Sequence, residues 1–515
     1  MRWSLPMIAA LCVAYPATAT EESPLTEEEE IPALTDEERA EIFAEFSEAL
    51  ARGQKAQAAD ALLPILDDPE KAAAHGEAWV KLAEQLASFD MEFSALIAYR
   101  NAVEADPDAT ATSLPQAMDI AEKLGDEALL APALAANVGL QTDKNTTSRM
   151  AYLAARHNLT EGNLGTATGI LMMVDKGSPV YAESEALRGV VLAQQERFND
   201  ALVPLHIAQQ VGTSKGDRFE NMLQINLARA HYGAGDYAHA VELFADVERS
   251  SSYWPDATFE RAWAHFRLDD MNGALQQLHS LRAPFFDAWY FPEADLLRTY
   301  SLFMMCKFPD ATKEIEAFAE AYTPVRETLD STLPTMTPQD GWNDVRALID
   351  GQPTRLPVKV LHHFLDEDRI HDAITTVDKA DDELERLSNA AANPFTSRAK
   401  QWLTERRDEL VRIEGQRVLD RAGAARDQLA DYLHNVDITK LDMMTYETQL
   451  YERAAVTGEL QFGDPIGKLR KLRKQRNTRV WPYEGEYWAD EIGYYVYDAR
   501  PDCHEGLQGG GATGK

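Results

Sequence analysis

From Asp36 onward, apolar residues recur at three- and four-residue steps over most of the chain, the pattern of amphipathic helices. Asp36 itself stands as a helix N-cap. Short breakers interrupt the pattern at Gly53-Gln54, Gly235-Asp236 and Asp269-Asp270, so the elements predicted are helices joined in pairs by tight turns. The pattern also repeats. An alanine that opens the second helix of each pair stands at Ala58, Ala95, Ala133, Ala167, Ala201, Ala240, Ala274 and Ala311, at spacings of 37, 38, 34, 34, 39, 34 and 37 residues. A helix-turn-helix period of ~34 residues with loop insertions accounts for this.

Fixed offsets support the register. Twelve residues before the alanines stand Phe46, Ala83, Ala121, Ala155, Gly189, Ala228, Ala262 and Thr299, six of them Ala or Gly. Two helices pack closely only where side chains are small, so both positions must be small. Four residues after the alanines stand Leu62, Tyr99, Asn137, Leu171, Leu205, Phe244, Leu278 and Ile315, seven of them large and apolar, one turn further on the same face.

With these spacings the chain resembles the tetratricopeptide repeat family. In the second repeat Trp79, Leu82, Ala83, Leu86, Ala95, Tyr99, Ala102 and Pro107 match all the signature positions. The fourth and fifth keep Ala155, Ala167, Leu171 and Pro179, then Gly189, Leu192, Ala201, Leu205 and Ala208. The first and third depart from it at Phe46 and Asn137. The resemblance covers residues 37–323. It implies an all-α fold, a right-handed α-solenoid of about eight helix pairs with a concave protein-binding face lined by the first helix of each pair.

The inward positions in that family are polar or small in the second repeat: Glu77, Val80, Glu84, Ala87 and Ser88. Toward the C-terminus they turn aromatic and cationic. The candidate partner-binding residues are Arg229, Tyr232, Phe259, Trp263, Phe266, Arg267, Tyr300 and Phe303, a hot-spot composition. The alternative is that these side chains are ordinary core, or that the chain's own C-terminal region covers them.

Beyond the repeats, residues 324–357 carry Pro324, Pro334, Pro338, Pro353 and Pro357 and read as a connector. The helical period resumes at Val360, Leu361, Phe364 and Leu365, breaks at Asn393-Pro394, and returns at Trp402 and Leu403. Residues 358–437 thus predict a long, coiled-coil-like helical hairpin that caps the array or projects from it. Residues 438–500 are basic, then aromatic. Lys468 to Arg479 hold seven Lys/Arg in twelve positions, suited to an anionic partner or to a solvated helix face. Seven aromatics follow between Trp481 and Tyr497, with a short hairpin expected around Ile492-Gly493. They bury against helices or, alternatively, offer a platform for glycan or cell-wall polymer. Residues 501–515 form a flexible Gly-rich tail. It ends in Gly514-Lys515 without the Ser/Thr, strand and helix of a phosphate-binding loop.

The N-terminus and the charge set the surroundings. Residues 1–19 read as a signal peptide: Arg2, an apolar core from Leu5 to Tyr15, and Ala17-Thr18-Ala19 for cleavage after Ala19. Residues 20–36 form an acidic, disordered lead-in. Leu11 before Cys12 makes a poor lipidation site. The chain of 515 residues has a formal net charge of −35, which disfavours nucleic acid. After cleavage Cys306 and Cys503 remain, either disulfide-paired or with Cys306 simply buried. His363, Glu367 and His371 share a helix face without a fourth ligand and read as an exposed stripe. No residue set proposes catalysis, a cofactor or a metal. The expectation is a non-enzymatic scaffold of a Gram-negative envelope, periplasmic or at the surface, without a transmembrane segment. Exported bacterial members of the repeat family, including outer-membrane assembly and gliding-motility components, are similar in architecture.

Overall fold

The computed structural model describes residues 34–66, 76–286, 289–365, 368–389, 393–457 and 485–502. Every α or β element among them is a helix. The pairs are α1 (Asp36–Ala51) with α2 (Lys55–Leu66), α3 (Gly76–Ser88) with α4 (Glu92–Ala105), α6 (Leu114–Leu124) with α7 (Glu127–Ala136), and α8 (Lys144–Thr160) with α9 (Leu164–Leu171). A one-turn helix, α5 (Pro107–Thr110), follows α4. Then come α10 (Tyr181–Gln194) with α11 (Phe198–Val211), α12 (Asp217–Gly233) with α13 (Tyr237–Ala245), α14 (Trp254–Arg267) with α15 (Met271–Leu281), and α16 (Pro292–Met304) with α17 (Phe308–Thr332). The all-α fold of eight antiparallel helix pairs is therefore as expected.

One turn geometry joins every pair. A residue with positive φ ends the first helix: Gly53, Asp90, Gly125, Gly162, Glu196, Gly235, Asp269 and Cys306. The next amide donates back to the carbonyl five residues earlier, as in Gln54 to Ala49, Asp236 to His231 and Lys307 to Leu302. This Schellman closure satisfies carbonyls that the helix end leaves bare. In seven pairs the marked alanine lies five residues after the positive-φ residue. In the third it does not. Gly125 places Leu130 in that position, and Leu134, fully buried, takes the place assigned to Asn137. The third repeat is thus slipped by three residues and still departs from the pattern, with Leu130 and Met118 at the two small positions, but a large apolar side chain is buried at the fourth position after the marker in all eight. All the small markers are buried too. At Gly189 a Cβ would stand 2.5 Å from Leu205, which is why that close contact needs glycine.

The chain divides into two compact units: residues up to Gly216 with Asp368–Ile413, and Asp217–Glu367 with Glu414 onward. The first holds five pairs, α20 (Asp368–Asn389) and the start of α21 (Pro394–Thr457). The second holds three pairs, α18 (Pro338–Ile349), α19 (Val358–Leu365) and the rest of α21.

Several boundaries differ from expectation. The first N-cap is Thr35, in a capping box with Glu38, not Asp36. Residues 324–357 are largely helical rather than a connector. Pro324 lies inside α17 one turn after exposed Glu320, and Pro338 opens α18 behind a Thr337/Asp340 capping box. Proline suits a first helical turn, where its missing N–H has no partner to lose. The hairpin over 358–437 is instead three helices, and α21 continues to Thr457. In the second unit its buried or half-buried positions run Val418, Ala422, Ala425, Leu429, Tyr432, Val436, Thr439 and Met443, alternating four- and three-residue steps. That is a heptad step, but it is not the seam of the expected coiled-coil hairpin. Gly415 fixes how α18 crosses it: a Cβ there would fall 1.9 Å from the Pro338 carbonyl oxygen.

Candidate partner-binding site

In the second unit the first helices of the three pairs, α12, α14 and α16, carry the eight candidate residues. Arg229 is not free: it makes a bidentate pair with Glu260 of α14 at 2.6 and 2.9 Å. Both groups are largely buried, so the pair ties one repeat to the next. Tyr232 is buried, and desolvation pushes its hydroxyl up to about 12. Exposed Arg267 lies 5.9 Å from the Tyr232 ring centre and 4.5 Å from that of Tyr237.

On α16 the chain covers its own residues. Tyr432 donates to Glu293 at 3.0 Å, Thr439 engages the Tyr300 hydroxyl, and Tyr446 meets Phe303 with ring centres 5.7 Å apart. These α21 residues step by seven, so α21 lies along α16 through its heptad seam, both helices running the same way. Burial pushes the Glu293 carboxyl above its ordinary range, with the Tyr432 hydrogen bond holding it back in part. Of the eight candidates, then, Arg229, Tyr232 and Tyr300 are structural. Phe303 meets α21, and Phe259, Trp263 and Phe266 stay half-buried. Those three pack on Ala262, Leu278, Ala294 and Leu297, and Arg267 stands exposed at the end of the row.

The described part of the aromatic C-terminal stretch packs elsewhere, and Trp481, the residue expected against this face, lies outside the described residues. Residues 485–502 form a strap over α14 and α15 and the turn after α16, with no strand or hairpin among the described residues. Side chains of the repeats pair with several of its backbone groups instead. Arg249 donates to the Ala489 carbonyl, Gly493 N–H to Ser280, and Asn272 exchanges two hydrogen bonds with Ala499. Gly493 has φ 87° and sits where a Cβ would approach the Trp254 ring at 3.1 Å. Tyr487, Tyr495 and Tyr497 surround the His279 ring. Burial, then the charges of Arg298 and Arg282, hold that imidazole down to about 4, so it is neutral. The strap ends on a buried ion pair, Lys307 with Asp502 at 2.7 Å, and on Asp502 N–H donating to the Met305 carbonyl. Cys306 between those two residues is disulfide-bonded. Cys503 lies outside the described residues, as do residues 1–19 read as a signal peptide, Lys468 to Arg479, Trp481 and the rest of the expected tail beyond Asp502.

In the first unit the returning helices are part of the core. Glu383 of α20 accepts from the Phe93 and Ser94 amides and the Ser94 hydroxyl, capping α4 from 290 and 289 residues away. Arg406 of α21 forms a bidentate pair with Asp126 at 2.6 and 2.8 Å, both fully inside. Trp402 packs on Trp79, and Phe395 on Phe89. A cavity of about 420 Å³ beside Trp402 is lined by Arg100, Asn101, Glu405, Arg406 and Glu409, whose charges are engaged with neighbours. The inward positions Glu77, Glu84 and Ser88 are exposed, as their polarity implied. Of the possible metal stripe, His363 is half-buried against Tyr290 and Phe364, and Glu367 lies outside the described residues.

No family model matches the chain, and no curated protein matches it in sequence. Solved structures that match include a crystal structure of the P58(IPK) TPR domain, 12% identical, covering 74% of this chain and 98% of that one. The TM-score of 0.18 means the two chains do not superpose as wholes, so no residue of that protein is carried over. The fold rests on the helix pairs described above. No helix among the described residues is long and apolar enough to cross a membrane.

Proposed function

We propose that this chain is a non-enzymatic scaffold of the bacterial envelope that binds a protein partner on the first-helix face of its second unit. The observation that carries this is the row Phe259, Trp263 and Phe266, half-buried on one helix with Arg267 exposed beside it. Half-buried rings with a cation at the rim gain most by being covered, as interface hot spots do. Trp263→Ala should abolish capture of that partner while leaving the helical spectrum unchanged. Loss of the fold, or capture unaffected, would reject the assignment.

Export is part of the same reading. The N-terminal sequence has a signal-peptide pattern, and a disulfide at Cys306 suits an oxidising compartment. We pair Cys306 with Cys503, because Asp502, one residue before it, is held against Met305 and Lys307. Exported protein should begin at Thr20 and show no free thiol when denatured without reductant. Glycan binding by the aromatic stretch is not favoured: three of its tyrosines pack around His279, and Arg249 lies over Tyr494.

A further inference from the structure

We propose that His231, Asp236 and His239, at the turn of the sixth helix pair, form a site for a divalent transition-metal ion of the zinc type. They offer two imidazole nitrogens and one carboxylate oxygen, all within 4.8 Å of one another. His231 lies in the last turn of α12, Asp236 caps α13, and His239 lies in the first turn of α13. Both Nδ1 atoms already converge on one atom: Asp236 Oδ2 is 3.2 Å from His231 Nδ1 and 2.6 Å from His239 Nδ1. Around a tetrahedral zinc with ligand bonds near 2.1 Å, neighbouring ligand atoms stand roughly 3.4 Å apart. Small side-chain rotations therefore suffice to admit the ion. Asp236 Oδ1 stays on the His239 N–H as helix cap, which fixes the carboxylate while Oδ2 turns to the metal.

The donor set chooses the ion. Two imidazoles with one carboxylate suit zinc, nickel or copper, whereas calcium and magnesium take oxygen ligands. Ligation through Nδ1 requires each ring to carry its hydrogen on Nε2, so the ion would replace the contacts each Nδ1 now makes with Oδ2. Three protein ligands leave one coordination position open, and the exposure of His239 and Asp236 directs it to solvent. The ion would join the end of α12 to the start of α13 across Ala234-Gly235.

The next repeat provides a built-in contrast. His265 and Asp270 stand 34 residues after His231 and Asp236 and repeat the hydrogen bond at 2.9 Å. The place of His239 is taken by Gly273, where even a Cβ would lie 2.3 Å from His265 Nδ1. The His–Asp bond is thus a device of the turn, and the second histidine is what makes the sixth pair a ligand set. His-x4-Asp-x2-His was visible in the sequence, but its spacing matches no familiar zinc pattern.

The test is calorimetric titration of the untagged full-length protein, stripped of metal, with Zn2+. Visible absorption with Co2+ reports tetrahedral coordination. One saturable equivalent is expected. It should weaken by roughly tenfold or more in His239→Ala, an exposed side chain the fold does not need, and in Asp236→Asn. His265→Ala should leave binding unchanged, and Ca2+ should not compete. The proposal is overturned if no saturable uptake occurs, if His239→Ala binds as well as the parent, or if His265→Ala loses binding equally.

Discussion

The two units use the same returning chain in opposite ways. In the first, α20 and the start of α21 enter the core through charged groups with no exposure to spare: Glu383 on the α4 amides and Arg406 on Asp126. In the second, α21 runs along α16 by a heptad seam, its polar contacts with α16 are made by tyrosine and threonine, and the α14 rings stay half-buried. A buried ion pair is costly to half-remove, because the remaining charge stays stranded. A tyrosine hydrogen bond can be given up cheaply. The first unit therefore holds its returning helices as fixed structure, and the second leaves half-buried the face we propose for a partner.

The contrast is quantitative. Arg406→Ala strands Asp126 and should cost about 3–5 kcal/mol in urea unfolding. Tyr432→Phe removes one hydrogen bond to the Glu293 carboxyl and should cost less, about 1.5–2 kcal/mol. Equal costs would remove the distinction. Gly415→Ala should separate α18 from α21 and cost about 3 kcal/mol, since the clash is with backbone and no side chain can yield. Gly423→Ala, on the same helix with nothing within 4 Å, should instead gain about 0.5–1 kcal/mol.

Acid should act on the strap. His279 is neutral in the fold at about 4, against 6.5 for the free side chain, so the unfolded chain binds the proton first. The stability tied to that neutral ring is complete above pH ~6.5 and is lost as pH falls toward 4. Arg298 and Arg282, which also face the ring, oppose its protonation. The expected loss is on the order of 3 kcal/mol at most, seen as a melting temperature that falls across that window. His279→Gln should flatten the slope, though not wholly, because His363 is depressed in the same way. The smallest effect belongs to exposed Trp488: its replacement by Ala should change stability by less than about 0.5 kcal/mol.

Helix pairing was legible because one side-chain size is required at each marked position, and Ala201 or Ala240 is fully buried as that demands. The slip in the third repeat was not legible from alanine alone. Ala133 is also buried, and only the αL residue Gly125 fixes the register. The connector was misread because proline at a helix start and proline in a loop look alike in composition. The candidate face was half legible. Spacing placed the candidates on the first helices of three successive pairs, but whether Arg229 meets solvent or Glu260 depends on a residue 31 positions away. Strap and α21 contacts join residues more than a hundred positions apart, which no local periodicity encodes.

The most direct test is site-specific photo-crosslinking in living cells, with the probe at Trp263 or Phe266 in the second unit and at Glu84 in the first. The expected result is a discrete adduct with one protein from the second-unit positions and none from Glu84. Adducts of equal yield from all three, or from Glu84 alone, would contradict the assignment of partner binding to the second unit.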